Sequence, residues 1–96
     1  MNIKIQAVNF DATEKLQDFI NKKISKLERL YDPITTAEVY LKVVKPETAA
    51  NKEAEITLVA PNSKFFASKV CDTFEEAIDL TIEALEKQIE KTKNKR

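Results

Sequence analysis

The last quarter of the chain fits one structure, a single long helix. Within residues 72–96, Phe74, Ile78, Thr81, Ile82, Leu85, Ile89 and Thr92 recur at steps of three and four. At about 100° per residue they form one apolar stripe, which has to be buried against another element. Asp72 or Thr73 can supply the N-cap oxygen, and Glu75 and Glu76 stand three residues beyond them, the capping-box spacing. Charge is sorted along the axis. Residues 75–86 hold five acids and no base, whereas residues 87–96 hold four lysines and one arginine against Glu90 alone. Acid early and base late complements the helix dipole. It also leaves a basic end that runs past the core and can hold an anion.

An amphipathic helix of that length needs a partner layer, and 96 residues supply one core and little more. Hydrophobic residues make up 43% of the chain and charged residues 33%, the balance of a soluble globular domain. We take residues 1–96 as one domain. The 16 acids cancel the 16 bases, which argues against a non-specific polyanion binder but leaves room for local basic patches. Histidine and glycine are both absent. The first absence removes serine–histidine and cysteine–histidine catalysis and imidazole metal ligands. The second removes the phosphate-cradling glycine loops. One cysteine, Cys71, gives neither an internal disulfide nor a zinc cluster. No cofactor and no enzymatic activity are expected. There is no apolar run near 18 residues and no signal segment, so a cytoplasmic protein without a membrane partner is the default.

The chain opens on a strand over residues 2–9, with Ile3, Ile5 and Ala7 opposite Lys4 and Gln6. Asp11 or Thr13 can cap a first helix over about residues 12–31, whose apolar stripe is Leu16, Phe19, Ile20, Ile24, Leu27 and Tyr31. Lys22, Lys26 and Arg29 fall within about 40° of Lys15 on the helical wheel, and Lys23 sits between that flank and the apolar stripe. Glu14, Asp18 and Glu28 lie about 60–140° round from Lys15, on the side away from Lys23. Such a flank suits a solvated face as well as an anion-binding one. Asp32-Pro33 ends the helix.

Residues 36–44 alternate as a second strand, with Ala37, Val39, Leu41 and Val43 inward. A polar loop spans residues 45–52 and is expected to be mobile. Residues 53–60 alternate again, Pro61-Asn62-Ser63 makes a turn, and residues 64–71 form a fourth strand. Its register is open, since Phe65, Ala67 and Cys71 share one face while Phe66, Ser68 and Val70 share the other. Cys71 is expected to serve as a small apolar strand-end residue, Tyr31 as core, and Tyr40 as cover for the open sheet face.

The order β-α-β-β-β-α predicts an α+β two-layer sandwich, a four-stranded sheet with both helices packed on one face. From residue 12 onward it is also the order of double-stranded RNA-binding domains, which bind shape and phosphates. Lys87, Lys91 and Lys95 recur at steps of four along one flank of the second helix, opposite Asp79, Glu86 and Glu90. If the basic flanks of the two helices face the same way, they join into one strip two helices wide. Lysines so spaced bind phosphates as point charges.

Further residues make a family resemblance. The opening Met1-Asn2-Ile3-Lys4-Ile5 strand is followed by Thr13-Glu14, Leu16 and Phe19, then Lys23, Lys26-Leu27-Glu28 and Tyr31-Asp32. Leu41-Lys42-Val43 and Ala67-Ser68 come next, then Asp72, Ala77-Ile78-Asp79, Ile82, Leu85-Glu86-Lys87-Gln88-Ile89 and Lys91. In this order and spacing, essentially the whole chain resembles the short ribosome hibernation-promoting factors and ribosome-associated translation inhibitors, also called the sigma-54 modulation family.

The resemblance implies a protein that binds the small ribosomal subunit near the decoding centre. It would occupy the path of mRNA and of the A- and P-site tRNAs and inhibit translation in starvation or stationary phase. It further implies that the basic helix ends face 16S ribosomal RNA, with Lys23, Lys26, Lys87 and Lys91 at basic positions of the family. Lys22, Lys93 and Lys95 join them on the charge pattern alone. Ala84 departs from relatives that carry a lysine there, which thins the basic surface. Long members add a C-terminal dimerisation domain that residues 1–96 lack, so pairing of ribosomes through such a domain is not expected, and the free protein is expected to be a monomer. Two other readings stay open: a general double-stranded RNA-binding module, and a protein-interaction domain whose sheet face modulates a sigma factor.

Overall fold

Thr13 carries the start of the first helix. Its hydroxyl oxygen accepts from the Leu16 amide at 3.1 Å, so α1 spans Glu14–Leu30, two residues shorter at its start than the periodicity suggests. The end is set by Tyr31, whose backbone is extended (φ −141°) while its N–H still reaches the Leu27 carbonyl at 2.8 Å. The C-terminal helix, α2, spans Phe74–Asn94. Thr73 caps its start: the hydroxyl oxygen accepts from the Glu76 amide at 3.1 Å. These positions come from a computed structural model that describes residues 1–8, 10–44 and 51–94, with the side chain of residue 94 left out.

Four strands complete the fold: β1 (Asn2–Val8), β2 (Thr36–Val43), β3 (Lys52–Ala60) and β4 (Ser63–Cys71). They form one sheet in the order β1-β2-β3-β4. β1 pairs with β2 in parallel, because α1 intervenes and makes a crossover, whereas β2, β3 and β4 form an antiparallel meander. Ser63 belongs to β4 rather than to the turn, since it pairs with Ala60 and leaves Pro61-Asn62 as a two-residue connection. The loop between β2 and β3 is closed at its base, where the Val44 amide donates to the Asn51 carbonyl at 2.9 Å. Asn51 is buried and Lys52 opens β3; the rest of the loop expected to be mobile, residues 45–50, lies outside the described residues.

Both helices cover the same face of the sheet. The core joins Leu16, Ile20, Ile24 and Leu27 of α1 and Ala77, Ile78, Ile82, Leu85 and Ile89 of α2 to the inward residues of the strands. Each fully buried aliphatic side chain among them is worth about 1.5–3 kcal/mol relative to exposure, enough to fix the register of every strand. This settles β4: Phe65 is 4% exposed against the core, while Phe66 is 54% exposed on the open face. Tyr31 meets the Phe65 ring edge-on at 5.7 Å and is half-buried, so it is a rim residue of the core. Val43, expected to point inward, is exposed, because β2 runs out past the helices at that end. Thr81 sits in the core with its hydroxyl donating to the Ala77 carbonyl at 2.7 Å.

Candidate nucleic-acid interface

β1 and β4 run in the same direction across the sheet, and a helix follows each by a short connection. Both helices therefore return in the same direction. Contacts along their seam agree. At the N-terminal ends the Phe10 and Phe74 rings stack at 4.9 Å. Further along, the Lys23 ammonium pairs with the Asp79 carboxylate at 3.0 Å and lies 5.4 Å from the Phe19 ring centroid. At the C-terminal ends the Lys93 ammonium donates to the Leu30 carbonyl at 3.1 Å, satisfying one of the orphan acceptors of α1. Parallel helices whose acids come early and bases late gather their charge by end. Glu14, Glu75 and Glu76 lie at one end of the helix layer, and Lys26, Arg29, Lys91 and Lys93 at the other.

Around the circumference the signs are arranged differently from the single strip that the sequence invites. Asp79 marks the flank of α2 that faces α1. Glu86 and Glu90, 7 and 11 residues on, fall within about 20° of it. Lys93, about 40° from Asp79, also reaches α1, so the acids between these two residues line the seam. Gln88 is about 180° from Asp79 and donates its amide to the Phe66 carbonyl of edge strand β4 at 2.8 Å. Lys87 and Lys91 are about 80° and 120° from Asp79, on the outer surface and leaning toward β4. On α1, Lys26 and Lys22 lie about 60° and 100° from Lys23, on the side away from the core. The two basic flanks thus do not join along their length. A row of carboxylates runs between them, because the flank of α2 that neutralises Lys23 is its acidic one.

The expected lysines therefore fall into three groups. Lys22, Lys26, Lys87 and Lys91 are exposed and make no ion pair or hydrogen bond among the described residues. Lys23 and Lys93 are near the same surface but already engaged, one by Asp79 and the other by Leu30. Lys95 lies outside the described residues. The two interhelix partners were missed in the sequence because they join residues far apart in the chain. Arg29 is exposed beside Lys26 and extends the α1 flank, a position the wheel already marked.

Other chemistry is sparse. Among the described residues no group of three or more acids or cysteines could hold a metal ion, and no helix is long and apolar enough to cross a membrane. Cys71 closes β4 as a buried thiol, 8% exposed. Burial raises its pKa, Glu76 and Asp72 add to that, and Lys69 opposes it, so it is a poor nucleophile at neutral pH.

The fold is an α+β sandwich, and exposed lysines of both helices gather at one end of the helix layer. Residues 3–96 match the model of the family described as Sigma 54 modulation protein / S30EA ribosomal protein, and the chain belongs to that family. It is 33% identical over 95 residues to the ribosome hibernation promoting factor of Azotobacter vinelandii, covering 99% of this chain and 85% of that one. It is 32% identical over 95 residues to the ribosome hibernation promotion factor of Bacillus subtilis (strain 168), covering 99% of this chain and half, 50%, of the longer relative. Among solved structures, the N-terminal domain of Thermus thermophilus Protein Y superposes with a TM-score of 0.81 at 28% identity, covering 96% of this chain and 99% of that one. A ribosomal subunit interface protein from Coxiella burnetii gives a TM-score of 0.88 over 99% of this chain and 100% of that one. At 22% identity the latter speaks to the fold alone.

Proposed function

We propose that this protein is a ribosome hibernation factor. It binds the small ribosomal subunit near the decoding centre, occupies the path of mRNA and of the A- and P-site tRNAs, and keeps ribosomes inactive in starvation or stationary phase. The observation that carries this reading is family membership over nearly the whole chain, with relatives named as ribosome hibernation factors. The charge arrangement supports it. Lys22 and Lys26 on α1 and Lys87 and Lys91 on α2 are free to meet phosphates of 16S ribosomal RNA, with Lys93 at the same end and Lys95 two residues further along the sequence. Lys23 contributes less, since binding a phosphate would require it to leave Asp79.

The action is steric and non-catalytic in this reading, and it takes place in the cytoplasm with a monomer as the binding species. The test is competition. Added to purified small subunits, the protein should lower binding of initiator tRNA and mRNA and should stop translation in a reconstituted system. Unchanged tRNA occupancy at saturating protein would contradict it.

A further inference from the structure

The acid row of α2 lies where an RNA-binding surface would be expected to be most basic. We propose that Glu86 and Glu90, with Asp79, exclude RNA from the seam between the helices. The two basic flanks then take phosphates separately, and a continuous A-form duplex is rejected. The proposal rests on the reading of the helix layer as the RNA-facing surface and adds the residues that set its selectivity.

Three observations carry it. First, the row is placed by contacts at both ends: Asp79 is bound to Lys23 at 3.0 Å, and Lys93 is bound to the Leu30 carbonyl at 3.1 Å. Glu86 and Glu90 share the flank between them. Second, those same contacts occupy two of the cations that border the row. Glu86 and Glu90 have no ion-pair partner among the described residues, so no direct contact ties up their carboxylates. Third, Lys22 and Lys26 lie on one side of the row and Lys87 and Lys91 on the other. A phosphate track that engages both flanks has to cross the carboxylates within a Debye length, about 8–10 Å at physiological salt.

A regular duplex presents an unbroken phosphate rail and meets the repulsion at each crossing. Folded RNA can instead offer separate backbone segments to the two flanks and leave the seam empty. The acids would thus separate a structured RNA site from the bulk of cellular duplex without any base contact.

The test compares wild type with the isosteric double variant Glu86→Gln/Glu90→Gln, and with Glu38→Gln/Glu55→Gln on the open face of the sheet. Both variants change net charge equally. Binding is measured to a generic 20-base-pair RNA duplex and, separately, to purified small subunits, at one fixed salt. The seam variant should gain about tenfold in duplex affinity, and the sheet-face variant under about threefold. Small-subunit affinity should rise less than duplex affinity. Glu90→Gln alone, at an exposed position, should give a smaller gain of the same sign. Equal duplex gains for the two double variants would reduce the effect to net charge and overturn the proposal, as would no gain. Failure of the functional reading shows elsewhere, as wild type that does not bind small subunits, while the duplex comparison still decides the exclusion.

Discussion

Lys93 donates its ammonium to the carbonyl oxygen of Leu30 at 3.1 Å, so the last turn of α2 caps the last turn of α1. The bond joins residues 63 positions apart and holds the two basic helix ends side by side. It is exposed, which limits its contribution. Lys93→Ala should cost about 0.5–1 kcal/mol in urea unfolding and fray the end of α1, seen as faster amide exchange there. A loss beyond about 2 kcal/mol would mean that the helix ends are coupled more tightly than this geometry allows.

The Lys23–Asp79 pair should couple weakly. Both side chains are partly solvated, at 27% and 48% exposure, and pairs of that kind are worth at most about 1 kcal/mol. A double-mutant cycle of Lys23→Ala and Asp79→Ala should return a coupling below that value. Asp79→Ala releases Lys23 and should strengthen RNA binding, the opposite of Lys23→Ala.

Adjacent phenylalanines give the sharpest contrast in stability. Phe65 packs in the core beside Tyr31, and Phe66 stands 54% exposed on the open face. Phe65→Ala should cost about 3–5 kcal/mol in denaturant unfolding and Phe66→Ala less than about 1. Similar losses would place β4 in the other register.

That pair also marks the limit of what the chain discloses. The helices, the strand order of the meander and the apolar stripes were legible because each is a local period, as in Leu16, Ile20, Ile24 and Leu27 or in Ala54, Ile56 and Leu58. β4 was not, since both of its faces carry a phenylalanine and only burial under α2 chooses between them. Val43 was misplaced for a related reason: alternation persists to the strand end, but the helix cover does not. The basic flanks were visible as spacings on each helix. Their separation was not, because it depends on which flank of α2 turns toward α1, and Lys23–Asp79 decides that through a contact 56 residues apart in sequence. The family was legible in residues matched in order along the chain, which no period encodes.

Cys71 should label slowly. Its buried thiol has a raised pKa, so native protein should react with iodoacetamide far more slowly than unfolded protein at pH 8, and the difference should persist to higher pH. The stability linked to this group is present below the unfolded thiol value of about 8.5 and is lost as pH rises through the higher folded value. Equal labelling rates in the two states would show that the end of β4 is open to solvent.

Salt dependence tests the lysine assignment. Binding to small subunits should weaken as KCl rises, and replacing Lys22, Lys26, Lys87 and Lys91 with Gln should flatten the log–log slope by roughly three units, near 0.7–0.9 per lost phosphate contact. Replacing Lys4, Lys42 and Lys64, on the sheet's open face, should leave the slope within about one unit of wild type.

The most direct test of the account is co-sedimentation with ribosomes on a sucrose gradient at low and at moderate salt. The protein should travel with the small-subunit and monosome fractions and leave them as salt rises, and the variant with glutamate at positions 26, 87 and 91 should stay at the top while keeping its fold. Wild-type protein that remains at the top at both salts would contradict ribosome binding and turn attention to the open face of the sheet.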